Sequence, residues 1–140
     1  MLSIEKVNIE AIPTMRTPKI FRDAVDLAVL ASYEKIQLEG EPDLVVELIN
    51  LYLEDAPRRV VVMRESLAKT NWLSVKREAH CLRGSSGSLG AIQMALICDE
   101  IEPLESGDLL PGIEALLICL GRELEQVLRV FLAERHRRLQ

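Results

Sequence analysis

Residues 79–90, which read AHCLRGSSGSLG, hold the side chains of this chain that are best suited to chemistry. On a helix that advances about 100° per residue, His80 lies about 160° away from Leu82 and about 100° from Ala79. The apolar stripe of this helix is therefore on the far side, and the imidazole faces outwards. Imidazole is a nitrogen nucleophile that is largely uncharged near pH 7, so an exposed His80 is suited to carrying a transferred group.

Cations and glycines share the helical face of His80. Lys76 and Arg83 lie one turn to either side of it, and Gly84 and Gly87 follow one and two turns later. The two cations would attract the negative oxygens of a phosphoryl group. A solvated helical face needs no such combination, so the pattern favours a functional histidine over an ordinary surface histidine.

Gly84 and Gly87 are unusual in the interior of a helix. A glycine there costs on the order of 1 kcal/mol relative to alanine. Two interpretations fit the residues. The glycines leave room for another protein to approach His80 closely, or they mark the fraying end of the helix.

The string AHCLRGSSGSLGA, residues 79–91, resembles the signature of histidine-containing phosphotransfer (HPt) domains, commonly written AHxLKGSSxxLGA. The flanks are similar too: a helix before the motif, the segment ICDEIE at residues 97–102 after it, and a long final helix. The resemblance covers about residues 21–135. It implies that His80 accepts a phosphoryl group from a receiver-domain aspartate or a kinase relay and passes it on. It also implies that Arg83 takes the place of the usual lysine and that Gly84 lets the receiver dock.

The resemblance also implies which partners and cofactors to expect. The partners are a response-regulator receiver domain and a histidine kinase or hybrid kinase, and the receiver supplies the metal ion and the acidic pocket. The protein itself needs no cofactor or metal and is a phosphocarrier, not an enzyme with its own ATP-binding domain. An alternative is an HPt-like interaction module that binds a receiver without relaying phosphate.

Two positions depart from the family pattern. Arginine at position 83 keeps the positive charge of the usual lysine, but it is bulkier and planar, so its contact with phosphate would differ in geometry. Many family members have a glutamine that reaches the histidine, and the matching position here is Glu102. Its carboxylate would either hold the imidazole N–H, although it would repel a phosphate, or be a solvated surface group.

The elements that position His80 are predicted to be helices, because apolar residues recur every three to four residues from Phe21 onwards and no run alternates as a strand would. The first predicted helix covers about Phe21–Ser32, and the second runs from near Pro42 to Leu67 with a kink at Pro57. The third begins at a cap, Thr70 or Asn71, and runs to Leu89. The fourth covers about Ala91–Leu104, residues 106–108 form the turn that ends it, and the last begins at Pro111. We therefore predict an all-α protein, with an antiparallel up-down-up-down four-helix bundle and a short extra N-terminal helix in residues 21–140. Residues 1–20 are predicted to be a leader that is loose or packs late.

The inward faces of these helices follow from the same period. The second helix should bury the stripe Leu44, Leu48, Tyr52, Ala56, Val60, Met63 and Leu67. The third should bury Val75, Ala79, Leu82, Ser86 and Leu89. The fourth should bury Met94, Ile97 and Ile101, and the last Ile113, Leu117, Leu120, Leu124, Val127 and Phe131. Trp72 and Cys81 are assigned to packing.

Composition limits the classes of function. The net charge of −5 argues against sequence-independent nucleic-acid binding, which needs a basic surface. The basic cluster at residues 135–138 is interpreted as a charged last turn that suits the helix dipole, in preference to a binding patch. No apolar run is long enough to span a membrane, and no signal peptide opens the chain. Three cysteines without CxxC spacing indicate reduced thiols, so a cytoplasmic protein is expected.

Other chemistries fit the motif poorly. A phosphate-binding loop should follow a strand and end in a lysine with serine or threonine, and residues 84–90 do neither. A metal site needs several ligands, whereas His80 and Cys81 point about 100° apart on a helix.

Overall fold

The computed structural model describes residues 23–105, 107 and 110–140. The predicted leader of residues 1–20 and the predicted helix start at Phe21 lie outside these ranges. So do Ser106 and Asp108, at the expected turn before the last helix. Within the described residues, the secondary structure is helical throughout and contains no strand.

The chain forms a four-helix bundle with a short N-terminal helix, as predicted. The elements are α1 (Leu27–Ser32), a 3₁₀ turn (Tyr33–Ile36), α2 (Leu44–Ala68), α3 (Trp72–Ser88), α4 (Ile92–Ile101) and α5 (Leu110–Arg138). Helix α3, which carries His80, packs between α2 and α4, and α5 packs on these same two helices. The helices α3 and α5 are therefore diagonal to each other. No helix in the described ranges is long and apolar enough to cross a membrane.

Side-chain caps set three of the helix starts. Asp26 accepts a hydrogen bond from the Ala28 N–H, so α1 begins at Leu27 and residues 23–26 are not helical. Asp43 accepts from the N–H groups of Val45 and Val46, so α2 begins after Asp43 and not at Pro42. The start of α2 predicted near Pro42 was therefore about two residues too early, because the Asp43 side chain takes the place of a helical hydrogen-bond acceptor at that point.

The third helix is capped by Asn71, whose side chain accepts from the Ser74 N–H. Thr70, the other predicted cap, instead has φ 52° and makes the turn between α2 and α3. The choice between the two candidates is thus settled by backbone geometry, because an N-cap residue lies in the extended region and not in the left-handed one.

The core confirms most of the predicted inward faces. All five stripe residues predicted around α3 are buried, as are all six predicted for α5. The second helix differs at both ends. Val45 and Ile49 are buried at its start while Leu44 and Leu48 are only half-buried, and Leu67 near its end is half-buried too. A repeated spacing of four residues turns about 40° per step around a helix, so these leucines drift off the core face. The helix itself continues through Pro57.

The later elements are also adjusted. Helix α4 is shorter than predicted and buries Cys98, whereas Ile97 is half-buried. Cys81, which was assigned to packing, is exposed instead, because it lies about 100° from Leu82 on α3 and so faces away from the core.

Two sets of contacts hold α3, one just past its C-terminal end and one within the helix. Gly90, in the turn after α3, has φ +87°, and a Cβ there would lie 2.6 Å from the carbonyl oxygen of Asp26. The Gly90 carbonyl in turn accepts from the Asp26 N–H at 2.8 Å. In the centre, the buried Tyr52 hydroxyl and Ser86 Oγ share a hydrogen bond of 2.7 Å. Burial raises the pKa of the Tyr52 phenol, so it stays neutral.

Candidate functional site

His80 lies in the middle of α3 and projects into solvent. Its side chain is 64% exposed, while Ala79 and Leu82 on either side of it are completely buried. The backbone that carries the imidazole is thus anchored by packing on two neighbouring helices, and the ring is accessible to a partner.

Glu102, just past the end of α4, holds one nitrogen of the ring. The His80 Nδ1 lies 2.7 Å from Glu102 Oε2. A carboxylate can only accept a hydrogen bond, so Nδ1 carries the proton and donates it. In the neutral imidazole, Nε2 is then the nitrogen with a free lone pair.

Arg83 joins the same cluster one turn further along α3. Its Nη1 lies 3.1 Å from Asp99 Oδ1, and its Nε lies 3.2 Å from Glu102 Oε1. The Oε1 atom is buried and accepts no well-formed hydrogen bond, so its contact with Arg83 is a charge pairing. A third guanidinium nitrogen, Nη2, is 3.4 Å from His80 Nδ1. Because Nδ1 is already committed to Glu102, this longer contact brings charge near the ring and is not its main hydrogen bond.

The remaining predicted site residues share α3 but differ in their surroundings. Gly84 is exposed, and a Cβ there would meet nothing within 4 Å. Gly87 is half-buried against α4, where a Cβ would lie 3.9 Å from the Ala95 Cβ. Lys76 is half-buried, and no ion pair is formed by its ammonium within the described part of the chain. Since α3 continues to Ser88, a fraying end does not explain Gly84.

The structure adds two neighbours that the sequence reasoning missed. Asp99 lies one turn before Glu102 and pairs with Arg83, and this spacing was the signal available in the sequence. The indole N–H of Trp72 donates to the Leu104 carbonyl at 3.1 Å, just beyond Glu102. No sequence pattern predicts that contact, because it joins the two ends of separate helices.

Comparison with known proteins places the chain in a family. Residues 47–130 match the family model of the Hpt domain, which is more than half of the chain. The chain belongs to the Hpt domain family. The crystal structure of histidine-containing phosphotransfer protein B (HptB) from Pseudomonas aeruginosa PAO1 has a similar fold, with a TM-score of 0.71 and 28% identity. That match covers 81% of this chain and 96% of HptB.

Two curated proteins of Arabidopsis thaliana are also similar to this Hpt domain. Histidine-containing phosphotransfer protein 5 is 34% identical over 67 residues, which cover 46% of this chain and 43% of the relative. Histidine-containing phosphotransfer protein 2 is 34% identical over 68 residues, which cover 46% of this chain and 44% of the relative. The chain thus spans under half the length of the curated relatives it matches.

The Hpt domain also has a cleft between α2 and the C-terminal half of α3. It has a volume of about 650 Å³, and Tyr33 also lines it. The Tyr33 hydroxyl donates to the Ser88 carbonyl at 2.7 Å. The other residues that line the cleft are apolar, charged or hydroxyl-bearing: Leu48, Leu51, Leu89 and Tyr52, then Glu54, Asp55, Arg58 and Arg59, then Ser85 and Ser88.

The arginines of the basic cluster at residues 135–138 bind other side chains of the same chain. Arg135 donates to Asn50 at 2.8 Å, and Arg138 pairs with Glu134, Asp43 and Glu34. These contacts support a charged last turn in preference to a nucleic-acid patch. Among the residues that the structure describes, no three His, Cys, Asp or Glu side chains are grouped so that they could hold a metal ion.

Proposed function

We propose that this protein is a phosphorelay carrier of two-component signalling in which His80 Nε2 receives a phosphoryl group from a receiver-domain aspartate and donates it to another. The observation that carries the proposal is the exposed His80 with Nδ1 committed to Glu102, which leaves Nε2 as the nucleophile. Membership of the Hpt family supports the reaction class, and the partners are a receiver domain and the histidine or hybrid kinase that supplies the relay.

The transfer step exchanges one bond to phosphorus for another. The Nε2 lone pair attacks the phosphorus of the aspartyl phosphate, the N–P bond forms, and the P–O bond breaks with its electron pair leaving on the carboxylate. The proton on Nδ1 stays in place, so the phosphorylated ring carries positive charge that the Glu102 carboxylate compensates. Reversal of these steps delivers the group to the next aspartate.

Glu102 and the incoming phosphate do not compete for the same side of the ring. Glu102 contacts Nδ1, whereas the phosphoryl group would be attached through Nε2 on the other side. The Arg83 guanidinium is paired with the buried Glu102 Oε1, which lowers the local negative charge. The separation and the charge pairing support a glutamate at position 102 that tolerates a phosphoryl group on Nε2.

The other site residues have supporting roles in the proposal. Arg83 and Lys76 attract the phosphoryl oxygens, since a loose transition state gains most from charge and positioning. Gly84 and its open surroundings allow a receiver to approach the helix closely. Gly87 lies on the same face, one turn after Gly84, where it adds no side chain that a docking receiver would meet. The protein acts in the cytoplasm and relies on the receiver for the metal ion and the acidic pocket, so it is a carrier and not an autonomous enzyme.

Labelling from a ³²P-phosphorylated receiver domain tests the function. The wild-type protein should acquire a label that is lost in acid and retained in base, as a phosphoramidate requires. His80→Gln should acquire none while keeping its helical circular dichroism, because an exposed side chain adds little to stability. His136→Gln is the matched control, since His136 is the other histidine of the chain and is exposed near the end of α5. Labelling that persists in His80→Gln, or a label stable in acid, would contradict the proposal.

A further inference from the structure

Helix α3 contacts the end of α4 at two separate points. One is the hydrogen bond between His80 and Glu102. The other is the hydrogen bond from the Trp72 indole N–H to the Leu104 carbonyl, at 3.1 Å. Trp72 is the first residue of α3, and His80 lies eight residues later, about 12 Å along the same helix axis.

Glu102 occupies a place where a helix needs outside support. Its own N–H donates to the Cys98 carbonyl, in the last turn that continues α4. Pro103 follows and has no N–H to donate, and the Leu104 N–H closes a tighter turn onto Ile101. The last carbonyl groups of a helix have no partner within it, so a terminal turn frays unless other groups hold it.

Trp72 provides that support from the helix that carries the histidine. Its ring is half-buried and packs against the core, so the indole is held in place. Its N–H donates to the carbonyl of Leu104, two residues after Glu102, so the turn that carries Glu102 is bonded directly to α3. Any movement of this turn would displace the Glu102 carboxylate from Nδ1.

We propose that Trp72 is a positioning residue for the His80 site, which holds the turn after α4 so that Glu102 keeps the proton on Nδ1 and leaves Nε2 free. The consequence for transfer rests on the proposed function. The consequence for the imidazole tautomer does not, so the two can be tested separately.

The tautomer of His80 is the direct readout. In protein with ¹⁵N-labelled histidine, two-bond ¹H–¹⁵N spectra at neutral pH should show the wild type with hydrogen on Nδ1. Glu102→Ala should revert His80 to the tautomer mixture of a free imidazole. Trp72→Phe should move the wild-type ratio towards that mixture by between about two- and tenfold, the equilibrium weight of one hydrogen bond.

Two comparisons separate positioning from general packing. Tyr33→Phe removes the hydrogen bond from a tyrosine hydroxyl to the Ser88 carbonyl, at the opposite end of α3, and should leave the His80 tautomer unchanged. Trp72 is the sole tryptophan of the chain, so replacing tryptophan biosynthetically with benzothienylalanine alters one site. This analogue has sulfur in place of the N–H and keeps the ring size, so it tests the hydrogen bond even if Trp72→Phe does not fold.

Transfer kinetics give the second readout. The rate at saturating receiver should fall in the Trp72 variants in step with the lost Nδ1–H population, while the apparent affinity for the receiver stays within about twofold. An unchanged tautomer in both Trp72 variants, with Glu102→Ala shifted, would overturn the role of Trp72 and leave that of Glu102 intact. Failure of the wild type to become phosphorylated would overturn the proposed function, and the tautomer comparison would still decide the role of Trp72.

Discussion

Substitution of Gly84 should make the protein more stable and less active. The position lies inside α3, and a Cβ added there meets no atom within 4 Å. Replacing an interior helical glycine with alanine or glutamine should therefore stabilise the fold by about 0.5–1 kcal/mol. For a domain of this size, that gain corresponds to an increase in Tm of roughly 2–5 °C.

The effect on transfer should have the opposite sign. A receiver that docks closely over Gly84 would meet the new side chain, and overpacking of a well-packed contact costs about 1–3 kcal/mol. That is roughly a five- to 150-fold loss of receiver affinity for Gly84→Gln, with Gly84→Ala between it and the wild type. Thermal melts and transfer from a labelled receiver, measured on the same preparations, give both quantities.

Gly112 offers a matched control for these substitutions. It lies in α5, the helix diagonal to α3, and a Cβ there also meets nothing within 4 Å. Gly112→Ala and Gly112→Gln should leave receiver affinity and transfer unchanged. If Gly84→Gln binds and transfers like the wild type, no partner approaches this part of α3 and the docking face must be located elsewhere. A lowered Tm in Gly84→Ala would contradict the helix-propensity argument.

Three further predictions concern charge and the core. Arg83→Ala should slow transfer at saturating receiver by about tenfold or more, with a smaller effect on binding, whereas Arg83→Lys should retain most of the rate. Equal rates for alanine and wild type would limit Arg83 to its ion pairs with Asp99 and Glu102 and remove it from the transfer step. Hydrogen bonds from Arg137 and Arg138 lower the pKa of the Glu134 carboxyl in the folded protein. This carboxylate therefore stabilises the fold fully above its unfolded pKa of about 4.3, and the stabilisation is lost as the pH falls through the lower folded pKa. Glu134→Gln should accordingly be less stable than wild type in urea titrations at pH 7, and the difference should shrink as the pH falls below the unfolded pKa. A difference that stays constant down to the most acidic pH at which both proteins fold would contradict this linkage. Tyr52→Phe should cost about 1 kcal/mol in the same titrations because the buried hydroxyl of Ser86 loses its partner, and an unchanged stability would indicate that the serine bonds elsewhere.

The sequence predicts those features of the fold that depend on a single helix. The buried stripes of α3 and α5 follow from a period of 3.6 residues within a single element, and both were predicted in full. The start of α2 and its first buried residues were harder to predict. Asp43 caps the N-terminus of this helix, so the helix begins later than the proline suggests, and Leu44 and Leu48 continue the apolar pattern although they lie off the core face.

The site divides in the same way. The outward direction of His80 and the neighbouring Arg83 are properties of one helix and were predicted from spacing. The role of Glu102 was left open, since its contact with His80 depends on how α4 is placed along α3. The spacing of Asp99 from Glu102 indicated that the two share a face of α4, but the contacts of Asp99 and Trp72 with other helices were missed. Each contact depends on how two helices are placed along each other, which no pattern within one helix encodes.

The most direct test of the central claim is ³¹P NMR of the protein after phosphorylation by its receiver or by a small phosphoryl donor. If Glu102 holds the proton on Nδ1 of His80, the spectrum at neutral to basic pH should contain a single phosphoramidate resonance at the shift of Nε2-phosphohistidine, and His80→Gln should show none. A resonance at the shift of Nδ1-phosphohistidine, or any phosphoramidate signal that survives in His80→Gln, would contradict the assignment of Nε2 of His80 as the phosphoryl carrier.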